Sequence, residues 1–206
     1  MDYELQVFHS EKFHSIVGDA IEFLLGTQVY ALPPGGHIYG SGVYILYYAG
    51  DFELYEPLSK LNAKECTTPI YVGKAVPPGW RTSRTGRSGT ADPVRRLGEH
   101  ARSIRQTSNL RLDDFRCRFV VLREVESDLV VPLEAELIRR YRPLWNAAID
   151  GFGNHDPGGG RYNQAISEWD VLHPGRSWVQ RMKGKPPQLD NVVAKVRHHL
   201  TGLAPS

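Results

Sequence analysis

Three groups of side chains in this sequence have the types and spacing that chemistry requires. The first is Glu134. In a helix opened by Pro132 it falls between Leu137, Ile138 and Tyr141 on the apolar side, whereas Glu136 points away. A carboxylate centred on an apolar stripe is costly unless something positive meets it. It is therefore either a metal ligand or acid/base group, or a buried Glu paired with a cation from the Arg-rich segment. The second group is Arg96 and His100, four apart on the flank of a helical stripe, able to act on one partly buried spot. An Arg beside it favours the neutral imidazole, ready to accept a proton; otherwise the pair is a surface Arg and a hydrogen-bonded His. The third is Gly42-Val43-Tyr44 with Tyr71-Val72-Gly73, two Tyr adjoining Gly on consecutive strands. Each Gly removes a side chain where a backbone or ligand can come close.

The elements that must hold these groups read in order. Val43–Tyr48, rich in β-branched and aromatic residues, predicts a strand, and Ile70–Val72, ended by Gly73, a short second one. The connection 49–69 is long enough to be a functional insertion. Asp92 as N-cap and Pro93 at the first helical position open a helix with Val94, Leu97, Ala101 and Ile104 in one stripe, Arg95, Glu99 and Arg102 facing water. Phe115, Cys117, Phe119 and Val121 alternate along a half-buried strand. The helix from Pro132 stops before Pro143. The order is β-β-α-β-α over 41–147, within one α+β domain covering 1–206. Residues 1–40 form a lead-in, with a helix capped by Ser10 and running to about Leu25; 148–206 form a loop-rich extension with a short helix near Asn191–Leu200.

Net charge is +2, which is uninformative until partitioned. Residues 1–73 carry 3 basic and 9 acidic residues, 74–123 carry 12 and 4, and 124–206 carry 10 of each. Eleven of the twelve cations in the middle segment are Arg, whose planar fork suits phosphate and guanine edges. With 41% hydrophobic residues the chain can build a core, which excludes a wholly disordered or fibrous protein. Cys66 and Cys117 are far apart and match no disulfide framework or zinc spacing. No leader or membrane-span pattern is evident, so the chain reads as soluble and intracellular with no membrane partner.

Taken in order, these segments resemble the GIY-YIG nuclease superfamily. Its two motif strands correspond to Gly42-Val43-Tyr44 and Tyr71-Val72-Gly73, its helical Arg and His to Arg96 and His100, and its third strand to Phe115–Leu122. Its Glu and closing Pro-x-x-Asn correspond to Glu134, Pro143 and Asn146. The resemblance implies a GIY-YIG core with a three-stranded antiparallel sheet flanked by helices, and hydrolysis of DNA phosphodiesters with one divalent metal, Mg²⁺ or Mn²⁺. It implies that Glu134 holds the metal and Tyr44 takes a proton from the attacking water, with His100 near enough to assist or replace it. Arg96 steadies the phosphate, and Tyr71 and Asn146 position the site. Two departures stand out: Val replaces Ile in both motifs, and Lys74 follows the second motif, where a Lys contribution to the chemistry stays open.

The short remainder outside the core is most like the superfamily's type II restriction endonucleases, which implies a sequence-specific cut in double-stranded DNA at a GC-rich palindrome. A palindrome implies a C2 homodimer. The same resemblance implies a bacterial cytoplasmic enzyme with a cognate DNA methyltransferase as functional partner rather than subunit. Candidates for contacting DNA are Lys74, then Arg81, Arg84 and Arg87 in the Gly/Ser/Thr-rich loop after the second motif. The loop 153–164 adds Asn154, His155, Arg161, Asn163 and Gln164, which have suitable donors and acceptors. The competing readings are a structure-selective repair or homing endonuclease and a DNA-binding module without catalysis.

Overall fold

The run from Val43 to Tyr48 is apolar or aromatic at every position, so a strand made from it must be covered on both faces. The computed structural model, which describes residues 3–77, 91–158 and 162–203, shows this arrangement. In chain order the regular elements are α1 (Glu11–Gly26), β1 (Tyr30–Ala31), β2 (Ser41–Tyr48), α2 (Glu56–Asn62), β3 (Pro69–Ala75) and α3 (Pro93–Arg105). They continue with β4 (Phe115–Leu122), α4 (Val130–Tyr141), α5 (Leu144–Ala147), α6 (Glu168–Leu172) and α7 (Leu189–Thr201), with short 3₁₀ turns between some of them.

All strand pairs are antiparallel and the sheet order is β1-β4-β2-β3. The mixed α/β class is as expected, but the sheet has a fourth strand. Tyr30 and Ala31 pair with Cys117 and Arg116, and the Tyr30 ring stacks on Phe119. Two residues carry no legible strand pattern; only the free edge of β4 gives them a partner. Every residue of β2 is buried. On one face Val43, Ile45, Tyr47 and Val72 pack with Val17, Ile21 and Leu24 of α1 and Val130, Leu133 and Leu137 of α4. On the other, Tyr44, Leu46 and Tyr48 pack with Leu97, Ala101 and Ile104 of α3, Trp145, Phe152, Trp169 and Val196. β4 is likewise shared: Phe115 and Cys117 belong to the second core, Val120 and Leu122 to the first.

Local chemistry sets the helix starts. The Phe13 N–H donates to Ser10 Oγ at 3.2 Å, and the Arg95 N–H donates to Asp92 Oδ1 at 3.0 Å with Pro93 following the cap. α4 begins at Val130, two residues before Pro132, because a proline is tolerated where first-turn N–H groups lack helical partners. The connection 49–69 is not an open loop. A 3₁₀ turn and α2 bury Tyr55 and Leu58, with Pro57 in the first turn. Asn62 then ties the segment together: its Nδ2 donates to Tyr48 O (3.0 Å) and Thr68 O (2.9 Å), and its Oδ1 accepts from the Thr68 N–H (2.9 Å). Among the described residues no helix is long and apolar enough to cross a membrane.

Candidate active site

The site forms at the edge of the sheet, where β3 ends between α3 on one face and α4 on the other. The register places Tyr44 opposite Gly73, and the Tyr44 ring lies over that glycine. A Cβ on Gly73 would stand 2.6 Å from Tyr44 Cζ and Oη. Gly42 has a similar function at the other end of the motif: a Cβ there would stand 2.3 Å from Val120 O and 2.7 Å from Pro93 Cγ. The two motif glycines thus admit, respectively, the Tyr44 ring and the start of α3. The first two turns of α3 then carry Arg96 to the cavity rim and His100 inward, where it is 2% exposed.

Tyr44, Tyr71, Lys74, Arg96 and Glu134 line one polar cavity of about 400 Å³, together with Asp92 and Arg95. His100 stands behind it, its Nε2 at 2.7 Å from Tyr44 Oη. A cavity of about 990 Å³ between α2 and α7 is larger, but its walls are mainly apolar, among them Phe52, Leu61, Val193 and Leu200. Size alone would favour that one; converging titratable groups favour the smaller.

Burial sets the protonation states. It holds His100 down to about 3, with the Arg96 charge adding to the effect, so the imidazole is neutral at pH 7. Burial likewise pushes the Tyr44 phenol well above its usual range and Tyr71 up to about 12. In the neutral tautomer that carries its proton on Nδ1, His100 accepts the Tyr44 hydroxyl at Nε2.

Glu134, whose side chain is 15% exposed, is met by a cation as its position demands, but the cation is Lys74 on β3 and not an arginine. Glu99, expected to face water, accepts instead from both Arg95 and Arg96, the latter at 2.5 Å. Asn146 lies outside the strand. Its Oδ1 accepts from the Val72 N–H at 2.8 Å and its Nδ2 donates to Val72 O at 2.9 Å, so the side chain takes the place of a fifth strand along β3.

Of the candidate DNA-contacting residues, His155 reaches the site, its Nε2 accepting from Arg96 Nη1. Asn154 and Gln164 line a different cavity, of about 570 Å³, beyond Asn146. Arg81, Arg84, Arg87 and Arg161 lie outside the described residues. Several residues of the site's surroundings carried no sequence signal strong enough to single them out. Phe152 stacks on the His100 ring (4.6 Å between centroids, 18° between planes) and meets Tyr71 edge-on at 4.9 Å. Gly153 lets the chain pass the Tyr71 hydroxyl, where a Cβ would stand 2.9 Å away. The Gly-Phe-Gly run at 151–153, read from the sequence as loop, is the one signal of a close approach there, and it names no partner.

A family model described as the Eco29kI GIY-YIG domain matches residues 37–200. The chain belongs to this family. The Eco29kI GIY-YIG match reaches well past Asn146 and so takes in the segment that supplies Phe152 and His155. No curated protein matches the sequence. Membership makes this a nuclease domain of a restriction-endonuclease family that acts on DNA, and GIY-YIG nucleases use divalent metals.

The donor set is consistent with such an ion. Among the described residues no three His, Cys, Asp or Glu side chains converge; of the two carboxylates lining the cavity, Asp92 caps α3 and pairs with His37, while Glu134 is the one expected from the sequence to hold an ion. A single carboxylate suits Mg²⁺ or Mn²⁺, which keep several waters and use one or two carboxylates plus substrate oxygens. The Lys74 ammonium against Glu134 shows that a cation is accommodated at that carboxylate.

Proposed function

We propose that the protein is a type II site-specific endonuclease that hydrolyses phosphodiester bonds in double-stranded DNA with one divalent ion, Mg²⁺ or Mn²⁺, held by Glu134. One observation carries the reading: the 2.7 Å contact between Tyr44 and a neutral, buried His100 opens on the cavity that Arg96, Lys74 and Glu134 surround. When bound, the ion would neutralise the scissile phosphate and assist the leaving oxygen.

The chain's own residues account for the rest. A phenol raised above its usual range is not a phenolate at pH 7, so Tyr44 acts as a relay. Its oxygen accepts a proton from the attacking water while its own proton passes to His100 Nε2. The negative charge of the bound phosphate favours the imidazolium that results, offsetting the burial and the Arg96 charge that disfavour it. Arg96, steadied by Glu99, offers its guanidinium to the phosphate. Lys74, paired with Glu134 here, would be available to a phosphate oxygen if Glu134 held the ion. Tyr71 orients the reacting group, and Asn146 holds the strand that carries it.

We further read residues 1–206 as one working domain. Phe152, Trp169 and Val196 share a core with Tyr44, which supports that reading. A GC-rich palindrome, cut by a C2 homodimer in a bacterial cytoplasm protected by a cognate methyltransferase, follows from the same resemblance. The test is a digest of DNA of known sequence in Mg²⁺ with end mapping. Discrete ends at one palindrome are expected, with Glu134→Gln and Tyr44→Phe binding the site but leaving it intact. Cleavage by both variants at the wild-type rate would refute the assigned chemistry, and a preference for flaps or lesions would favour a repair nuclease.

A further inference from the structure

Arg176 is the most fully engaged charged residue among those described, and the chemistry above does not use it. Its side chain is 1% exposed, that of its partner Asp170 2%. All five N–H donors of the guanidinium are bound. Nε and Nη2 grip the two Asp170 oxygens at 2.6 and 2.5 Å. The remaining three N–H groups go to main-chain carbonyls of one loop: Gly151 (2.9 Å), Phe152 (3.2 Å) and Asn154 (3.1 Å). The rings of Trp169 and Trp178 hold the guanidinium carbon at 4.7 and 4.8 Å. Ser167 Oγ donates to Asp170 Oδ2 at 2.6 Å and fixes the carboxylate in turn.

The captured loop touches three candidate active-site residues. Phe152 stacks on His100, Gly153 passes the Tyr71 hydroxyl, and His155 accepts from Arg96. A buried ion pair is a poor way to gain stability, because well-packed apolar groups often do as well or better. Its planar, five-donor geometry does supply what an apolar plug lacks, a fixed path for an irregular backbone. We infer that Arg176 is a positioning residue of the nuclease: through the 151–155 loop it sets the seat of the His100 ring and the reach of Arg96. The inference rests on the nuclease reading.

The test uses Arg176→Lys, which keeps the charge toward Asp170 but loses the fork, and Phe152→Leu, which leaves the Arg176 network whole but removes the ring from His100. Two quantities are measured on folded protein well below its melting temperature. One is the single-turnover cleavage rate with saturating DNA. The other is the proton chemical shift of the His100 ring without DNA, which senses the Phe152 ring above it. Arg176→Lys is expected to lower the rate about 10- to 100-fold, the scale of a small misplacement at a reacting centre, and to move the His100 resonances. Phe152→Leu should do the same, and the double variant should lose less than the product of the two effects.

A folded Arg176→Lys that cleaves within twofold of wild type, or an unmoved His100 resonance, overturns the inference. Should Arg176→Lys fail to fold, Asp170→Asn, which weakens the grip on the guanidinium and leaves Phe152 in place, is measured instead: a wild-type rate or an unmoved His100 resonance overturns the inference, and a slowed rate with a moved resonance supports it. If the wild-type protein does not cut DNA, the nuclease reading fails, and the His100 resonance still reports whether Arg176 positions the ring.

Discussion

Asn146 offers a test that separates holding a strand from doing chemistry. Its amide satisfies both the N–H and the C=O of Val72 on the open edge of β3, at 2.8 and 2.9 Å. Truncation in Asn146→Ala removes two hydrogen bonds worth about 0.5–1.5 kcal/mol each, a loss of about 1–3 kcal/mol. In a chain of this size that lowers Tm by roughly 3–10 °C. Asn146→Asp is more informative. The carboxylate still accepts from the Val72 N–H but turns a negative oxygen on Val72 O, so at pH 7 it should be at least as damaging as Ala. Protonation restores a donor, which raises the carboxyl pKa in the folded state, so the deficit is present at neutral pH and shrinks as pH falls. Because Val72 sits between Tyr71 and Gly73, a displaced strand moves the cavity wall, and single-turnover cleavage should fall about 100-fold in either variant. Thermal melts of both variants beside wild type at pH 7 and pH 4.5, together with plasmid cleavage, check this. An Asp variant as stable as wild type at pH 7 refutes the clamp. Lost cleavage with an unchanged Tm places Asn146 on the substrate instead.

Three further outcomes are expected. His100 and His173 are both held to about 3 by burial, against an ordinary value near 6.5, so the unfolded chain takes up protons that the folded one refuses. Stability is therefore full above pH 6.5 and is lost as pH falls toward 3, by up to about 1.4 kcal/mol per pH unit for each group; urea titrations at pH 7 and 5 should show it, and His173→Gln should remove about half of the slope. Gly73→Ala forces a Cβ to 2.6 Å from a buried ring and should cost about 1–3 kcal/mol, while Gly42→Ala meets main chain at 2.3 Å and should cost more, as chemical denaturation would reveal. Lys74→Met frees the Glu134 carboxylate from its ammonium, so Mn²⁺ affinity without DNA, read by electron paramagnetic resonance, should rise about tenfold, or about 1.4 kcal/mol; an unchanged affinity would show that the ion pair does not compete with the metal.

Much of this was legible in the chain because it is local. Asp92 followed by Pro93 announces a helix start whatever surrounds it, and the stripe of Val94, Leu97, Ala101 and Ile104 fixes which face turns inward. The same periodicity placed Glu134 on an apolar side and brought Arg96 and His100 to one flank. The Gly-Tyr pattern on two strands marked where a ring and a backbone approach closely, and the register confirms it with Tyr44 over Gly73.

Other features depend on pairs that no local pattern can announce. That Lys74 rather than an arginine meets Glu134 is decided by β3 lying against α4, sixty residues away in the chain. The two-residue strand β1 exists because β4 has an edge to offer, and Asn146 is a strand clamp because β3 has one as well. The segment after residue 147 looks like loop by composition, since Gly and Pro forbid regular ladders there. Its carbonyls still need donors, and only the folded chain brings Arg176 to three of them and Phe152 onto His100. Periodicity and caps act within a few residues and determined the elements and the chemical groups. Burial and long-range hydrogen bonding act only once those elements meet, and they decided the protonation states, the partners and the seat of each group.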